Sequence, residues 1–192
     1  MNSKNDKFLF LHKEEVAFLL IDVQESLMNA VQDRRTIETN MKLLLRLANI
    51  LNIPITVTTQ NAKRLGPTIE SLTYLLPDEQ KIHNKLVFSC LRVESVLEEI
   101  KNKRILILFG VEAHICVFQT AMQALSEGFK VIVVNDAVSS RVEFNKQSGL
   151  ERLKESNVML YSTEMVIYEL LGEAGTDHFR AMLPYLKDPK NA

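Results

Sequence analysis

The chain has 192 residues, 46% of them hydrophobic, with 23 Lys and Arg against 24 Asp and Glu for a formal charge of −1. That balance leaves no basic stripe for electrostatic capture of nucleic acid, and two cysteines cannot build a disulfide framework. No apolar stretch near the start approaches the length of a signal peptide or of a membrane span of about 20 residues, so a soluble, cytoplasmic chain with no membrane or nucleic-acid partner is expected.

Residues 1–7 are polar and read as a flexible tail. VAFLLI, 16–21, is a continuous apolar run ending at Asp22, the pattern of a strand buried on both faces. Ile37, Met41, Leu44, Leu45, Ala48 and Leu51 recur at spacings of three and four and predict a helix. Residues 53–59 read as a second strand with Pro54 at its mouth, where a missing N–H matters least. Val93, Val96, Leu97 and Ile100 give a short helix, and 104–110 a third buried strand. A helix over 114–127 follows, which Gly128 can end in a left-handed conformation. Residues 129–134 form a fourth strand, ended by Asn135 and Asp136. A helix over 144–156 buries Leu150 and Leu153, and 158–161 is a last short strand. Ser162 or Thr163 can cap the helix after it. The stretch 172–192 reads as a C-terminal helical extension, with Phe179, Met182, Leu183 and Leu186 as a stripe for packing on the domain or on a second subunit.

This alternation implies right-handed crossovers. The expected fold is a single α/β domain, a three-layer doubly wound (Rossmann-like) sheet, mostly parallel, of about six strands with helices on both faces.

In such a sheet ligands bind beyond the carboxyl ends of the strands. The polar residues there are Asp22 and Gln24, then Thr58, Thr59 and Gln60, then 110–116, then Asp136, Ser139, Ser140 and Arg141. There is no G-x-G-x-x-G after the first strand, no P-loop and no G-x-S-x-G elbow. The informative segment is FGVEAHICV, 109–117, which leads from a buried strand into a helix and sets Cys116 near its N-terminus. Unpaired N–H groups and the helix dipole there favour a thiolate or an oxyanion. A small apolar core residue is the other reading of Cys116.

GVEAHICV, 110–117, followed by Thr120-Ala121 and GFKVIVVNDA, 128–137, resembles the isochorismatase-like cysteine hydrolase superfamily. Within it the likeness is to the isochorismatase-domain-containing branch, through LIDVQ at 20–24, the stretch 60–68, KLVFS at 85–89 and DAVSSR at 136–141. The likeness runs from about Val16 to Leu186. It implies an Asp–Lys–Cys triad of Asp22, Lys85 and Cys116, as proton carrier, charge partner and nucleophile. It further implies an oxyanion hole from the backbone N–H groups of Glu112 and Cys116, and a cis Val111–Glu112 peptide bond. Gln24 and Gln60 are candidate substrate contacts, strand-end hydrogen bonding being the alternative. His114 is expected to pack in its helix, Asp136 and Arg141 to fix their loop, and Cys90 to be a buried spectator.

Metal-binding members carry an Asp-x-His pair after the second strand; here 58–66 reads TTQNAKRLG, and His12, His83, His114 and His178 are scattered. No metal and no cofactor is therefore expected. The reading is a metal-independent cysteine hydrolase acting through a thioester on a small amide, carbamoyl or related molecule, in a homo-oligomer. The competitors are a non-catalytic binding or regulatory protein with the same fold, and an isochorismatase-type ether hydrolysis without covalent catalysis.

Overall fold

Six parallel strands form one sheet in the order 3-2-1-4-5-6: β1 (Val16–Ile21), β2 (Ile55–Gln60), β3 (Ile82–Lys85), β4 (Ile105–Val111), β5 (Lys130–Ser139) and β6 (Met159–Tyr161). The computed structural model describes residues 10–188, so the expected tail at 1–7 lies outside the described residues. The helices are α1 (Glu25–Met28), α2 (Arg34–Leu51), α3 (Ala62–Leu65), α4 (Glu70–Thr73), α5 (Glu94–Ile100), α6 (Phe118–Ser126), α7 (Glu143–Glu155), α8 (Thr163–Leu171) and α9 (Asp177–Lys187).

The central strands are buried on both faces because their sequences are apolar at every position. Val16, Phe18 and Leu20 join the core under α2, α4, α8 and α9, whereas Ala17, Leu19 and Ile21 join the core under α5, α6 and α7. α9 packs on the domain itself: Met182 is fully buried, with Phe179, Tyr185 and Leu186 partly buried against the α2 side. Ser162 caps α8 by accepting the Met165 N–H. Gly128, at φ +86°, ends α6. No helix among the described residues is long and apolar enough to cross a membrane.

Several elements differ from the sequence reading. β3 has no counterpart among the strands read from the sequence, because its residues, IHNK, lack an apolar run. β5 does not stop at Asn135 and Asp136 but runs on to Ser139. Its register against β4 jumps from Leu108↔Val133 to Gly110↔Val138, so a bulge expels the polar pair and the strand resumes. The expelled Asp136 then accepts both the N–H and the hydroxyl of Thr163, each at 2.8 Å. The helix expected from residue 114 opens as one π-helical turn, Ala113–Val117, before α6.

Gly110 decides how closely β4 approaches β1. Its φ is +127°, and a Cβ there would lie 2.1 Å from the Ile21 carbonyl oxygen, a backbone atom that cannot swing away. Gly110→Ala is expected to cost more than about 3 kcal/mol. Urea unfolding would show it as a large drop in midpoint or as insoluble protein; an unchanged midpoint would contradict the packing described.

Candidate functional site

The strand order reverses at β1, which has β2 on one side and β4 on the other. Chains leaving the two neighbours β1 and β4 therefore diverge to opposite faces, the arrangement that in open α/β sheets marks the ligand-binding end. Asp22 stands directly after β1 with φ +54°, its N–H donating to the Thr58 carbonyl at 3.1 Å. Lys85 ends β3, and Cys116 lies in the π-helical turn after β4.

These three side chains meet. Lys85 Nζ donates to Asp22 Oδ2 at 2.6 Å, with both side chains fully buried. Lys85 also donates to Gln60 Oε1 at 2.8 Å and to the Val87 carbonyl at 3.4 Å, while Thr58 Oγ1 donates to Asp22 Oδ1 at 2.8 Å. A buried ion pair is tolerable when its remaining lone pairs and protons are satisfied in this way. The Cys116 side chain is buried, and the Asp22 carboxylate acts on its thiol electrostatically.

The charge balance runs against the thiolate that the helix start and the ammonium favour. Burial, and after it the Asp22 carboxylate, push the Cys116 thiol well above its ordinary value, and the opposing pull of Lys85 is smaller. Burial works to lower the Lys85 ammonium, but Asp22, Cys90 and Cys116 more than offset it, so it too is raised. The resting arrangement is a protonated thiol under the influence of a carboxylate that is paired with an ammonium. A single π-helical turn does not outweigh the desolvation of a thiolate at this depth.

Cys90 is fully buried, as expected, yet it is not remote from the site. Its sulfur lies 3.4 Å from Thr58 Oγ1, the same hydroxyl that holds Asp22. Burial and then Asp22 push its thiol up to about 11 from an ordinary 9.0. A thiol raised on folding stabilises the folded state fully below the unfolded value and loses that contribution as pH rises through the folded one. Stability should therefore fall between about pH 9 and 11, and Cys116 adds the same sign. Cys90→Ala should flatten the slope by up to about 1.4 kcal/mol per pH unit. Urea unfolding at several pH values reads this directly, and identical slopes would refute it.

Around this centre the loops are tied to one another. Gln24, fully buried, donates from Nε2 to the Gln60 and Gly66 carbonyls and accepts the Gln60 N–H at 2.7 Å. Both amide hydrogens are thereby spent on loop carbonyls, the strand-end hydrogen bonding that stood as the alternative to a substrate contact. Gln60 uses its Oε1 on Lys85 and its Nε2 on the Leu86 carbonyl, which makes it a support for the lysine. The Val111–Glu112 peptide bond is cis. The Glu112 carboxylate accepts both the Arg141 N–H and its Nε, and His114 Nδ1 lies 2.9 Å from Ser140 Oγ. Thr58, Ser89, Thr120 and Gln123 were given no role by the sequence reading. Ser89 donates to Gln123, and Thr120 accepts the Cys90 N–H, which fastens the segment after Lys85 to the helix that follows Cys116. The signal for Thr58 was its place among the polar residues at the carboxyl end of the second strand. Among the described residues no three His, Cys, Asp or Glu side chains converge as metal ligands.

A family model described as the isochorismatase domain matches residues 16–165. Isochorismatase domain-containing protein 2 of Danio rerio is 35% identical over 173 residues, 89% of this chain and 86% of that protein. The structure of MAR1 ribonuclease from Caenorhabditis elegans superposes with a TM-score of 0.90 at 30% identity, covering 93% of both chains. YcaC from Escherichia coli, described as an octameric hydrolase of unknown specificity, and YcaC from Pseudomonas aeruginosa, solved with covalent acrylamide, give TM-scores of 0.86 and 0.88. Their identities are 27% and 26%, and each comparison covers 97% of this chain and 96% of the other.

Proposed function

This chain belongs to the isochorismatase family, and from that premise we propose that it is a metal-independent cysteine hydrolase of small amide, carbamoyl or related compounds. The observation that carries the reading is the Asp22 carboxylate, which pairs with Lys85 at 2.6 Å and whose charge acts on the Cys116 thiol. A carboxylate base available to the thiol proton is what a protonated nucleophile requires.

In this mechanism Asp22 takes the thiol proton as Sγ of Cys116 attacks the carbonyl carbon. The negative charge passes from carboxylate to sulfur and then to the carbonyl oxygen, where the N–H groups of Glu112 and Cys116 receive it. Collapse breaks the C–N bond, and Asp22 returns its proton to the departing amine. Water, deprotonated by Asp22, then attacks the thioester, and the proton returns to the sulfur as the acid leaves. Lys85 stays charged throughout and balances whichever of the two groups is negative. The covalent acrylamide in the Pseudomonas relative supports reactivity towards small neutral electrophiles in this family.

A homo-oligomer fits the same reading. The Escherichia coli relative is described as octameric, and Leu86, Phe88, Val142 and Phe144, in segments leaving the carboxyl ends of β3 and β5, are exposed in a single copy.

Exposure of the protein to a metabolite extract, followed by mass spectrometry, tests the function. An acyl adduct on Cys116 is expected, and its mass identifies the acyl group. Isochorismate turnover, or RNA cleavage, that survives the loss of Cys116 would overturn the reading.

A further inference from the structure

β3 is an edge strand of four residues paired on one side only, to β2. Its side chains alternate: Ile82 and Asn84 are exposed, and the two buried ones are His83 and Lys85. No apolar side chain of β3 is buried, so hydrophobic packing does not seat this strand. Backbone pairing to β2, the bonds of Asn84 and of the Lys85 carbonyl to the loop at 61–62, and the two buried polar side chains do.

The His83 ring is 3% exposed, with both nitrogens engaged by α5. Nδ1 lies 2.8 Å from Ser95 Oγ and Nε2 lies 2.7 Å from Glu99 Oε1. A carboxylate only accepts, so Nε2 carries its hydrogen, and Nδ1 of the neutral ring receives the Ser95 hydroxyl. The second Glu99 oxygen accepts the Thr56 hydroxyl of β2 at 3.1 Å. One carboxylate thus joins β3 to β2 and to α5, two residues before Lys85.

We propose that the Ser95–His83–Glu99 clamp is a positioning device for Lys85, setting where β3 sits and so the 2.6 Å contact between Lys85 and Asp22. This rests on the reading of Lys85 as the charge partner of the Cys116 reaction. The order serine, histidine, carboxylate also has the connectivity of a hydrolytic relay, but the neighbouring cavity of about 650 Å³ is lined by Thr56 and Glu99 and by neither Ser95 nor His83. The hydroxyl and ring are spent on holding the strand.

The test is the rate of Cys116 alkylation by iodoacetamide, read by peptide mass spectrometry, which needs no substrate. Lys85→Met is expected to slow it. His83→Ala should slow it about tenfold, since a small misplacement of a supporting group is enough to lose that much. Glu99→Ala, a change at a partly exposed side chain that should still fold, should act in the same direction, and His83→Gln, which still reaches Glu99, should recover most of the rate. In the Lys85→Met background His83→Ala should change the rate less than about twofold while still lowering the urea midpoint, because the group being positioned is gone. Equal slowing in both backgrounds, or unchanged alkylation in folded His83→Ala and Glu99→Ala, would overturn the clamp. An unchanged rate in Lys85→Met would instead overturn the role given to Lys85. Labelling of Ser95 by a fluorophosphonate would replace the clamp with a second nucleophile.

Discussion

Cys116→Ala is expected to lower kcat/KM on the hydrolysed amide by about 10⁴-fold or more, the loss that follows removal of a covalent nucleophile. Stability should change little, because the alanine removes one sulfur from a small buried site. The side chain touches the second core cluster but is not among its large members. The same protein should give no acyl adduct in the mass spectrum, while Asp22 and Lys85 keep their pair. Cys116→Ser is the sharper variant, since it retains a hydrogen that Asp22 can accept. It should remain nearly inactive at neutral pH, because a hydroxyl is harder to deprotonate than a thiol and the alkoxide is a poorer match to this base. Steady-state kinetics with circular dichroism and urea unfolding separate loss of chemistry from loss of fold. Full activity in a folded Cys116→Ala protein would end the cysteine-hydrolase reading.

Asp22→Asn should damage both activity and stability, for one electrostatic reason. The substitution removes the base, so turnover should fall by at least about 10³-fold. It also leaves the Lys85 ammonium buried without its counter-charge, still facing Gln60 Oε1 and the Val87 carbonyl but no anion. Breaking a buried pair from one side costs about 3–5 kcal/mol, whereas replacing both partners by neutral groups is often close to neutral. The double variant Asp22→Asn/Lys85→Met should therefore regain most of the lost stability and none of the activity. That divergence between folding and turnover is the signature of a charge pair kept for chemistry. Equal urea midpoints in the single and double variants would show that the pair carries no such strain.

The parts of the fold legible in the sequence are those fixed by local pattern. The apolar runs of β1 and β4 fit strands buried on both faces, and Gly128 fitted a helix end from its position. The segment around Cys116 was legible as a strand, a loop and a helix start, and the likeness of its residues to known hydrolases pointed to Asp22 and Lys85 as its companions. β3 was not legible, because IHNK carries no hydrophobic periodicity; its inward side chains are a histidine and a lysine whose partners lie on other elements. The continuation of β5 past Asp136 was hidden for a related reason, since a bulge can be recognised only when the partner strand is present. Gln24 showed the limit of reading strand-end polarity as ligand binding. Its amide satisfies loop carbonyls at residues 60 and 66, which no local pattern reveals.

Composition and charge argue against electrostatic capture of a polyanion and against a disulfide scaffold, and the order of strands and helices determined a doubly wound sheet with its polar residues at one end. These follow from composition and from contacts between near neighbours in the chain. The protonation balance of the site belongs to the tertiary structure alone. Lys85 and Asp22 are 63 positions apart in sequence and 2.6 Å apart in space, and the Cys116 thiol is raised by burial that the fold creates and by a carboxylate that the fold delivers. A sequence reading can identify an ammonium and a helix start that favour a thiolate. Only the packed structure weighs them against desolvation, and here desolvation and Asp22 win.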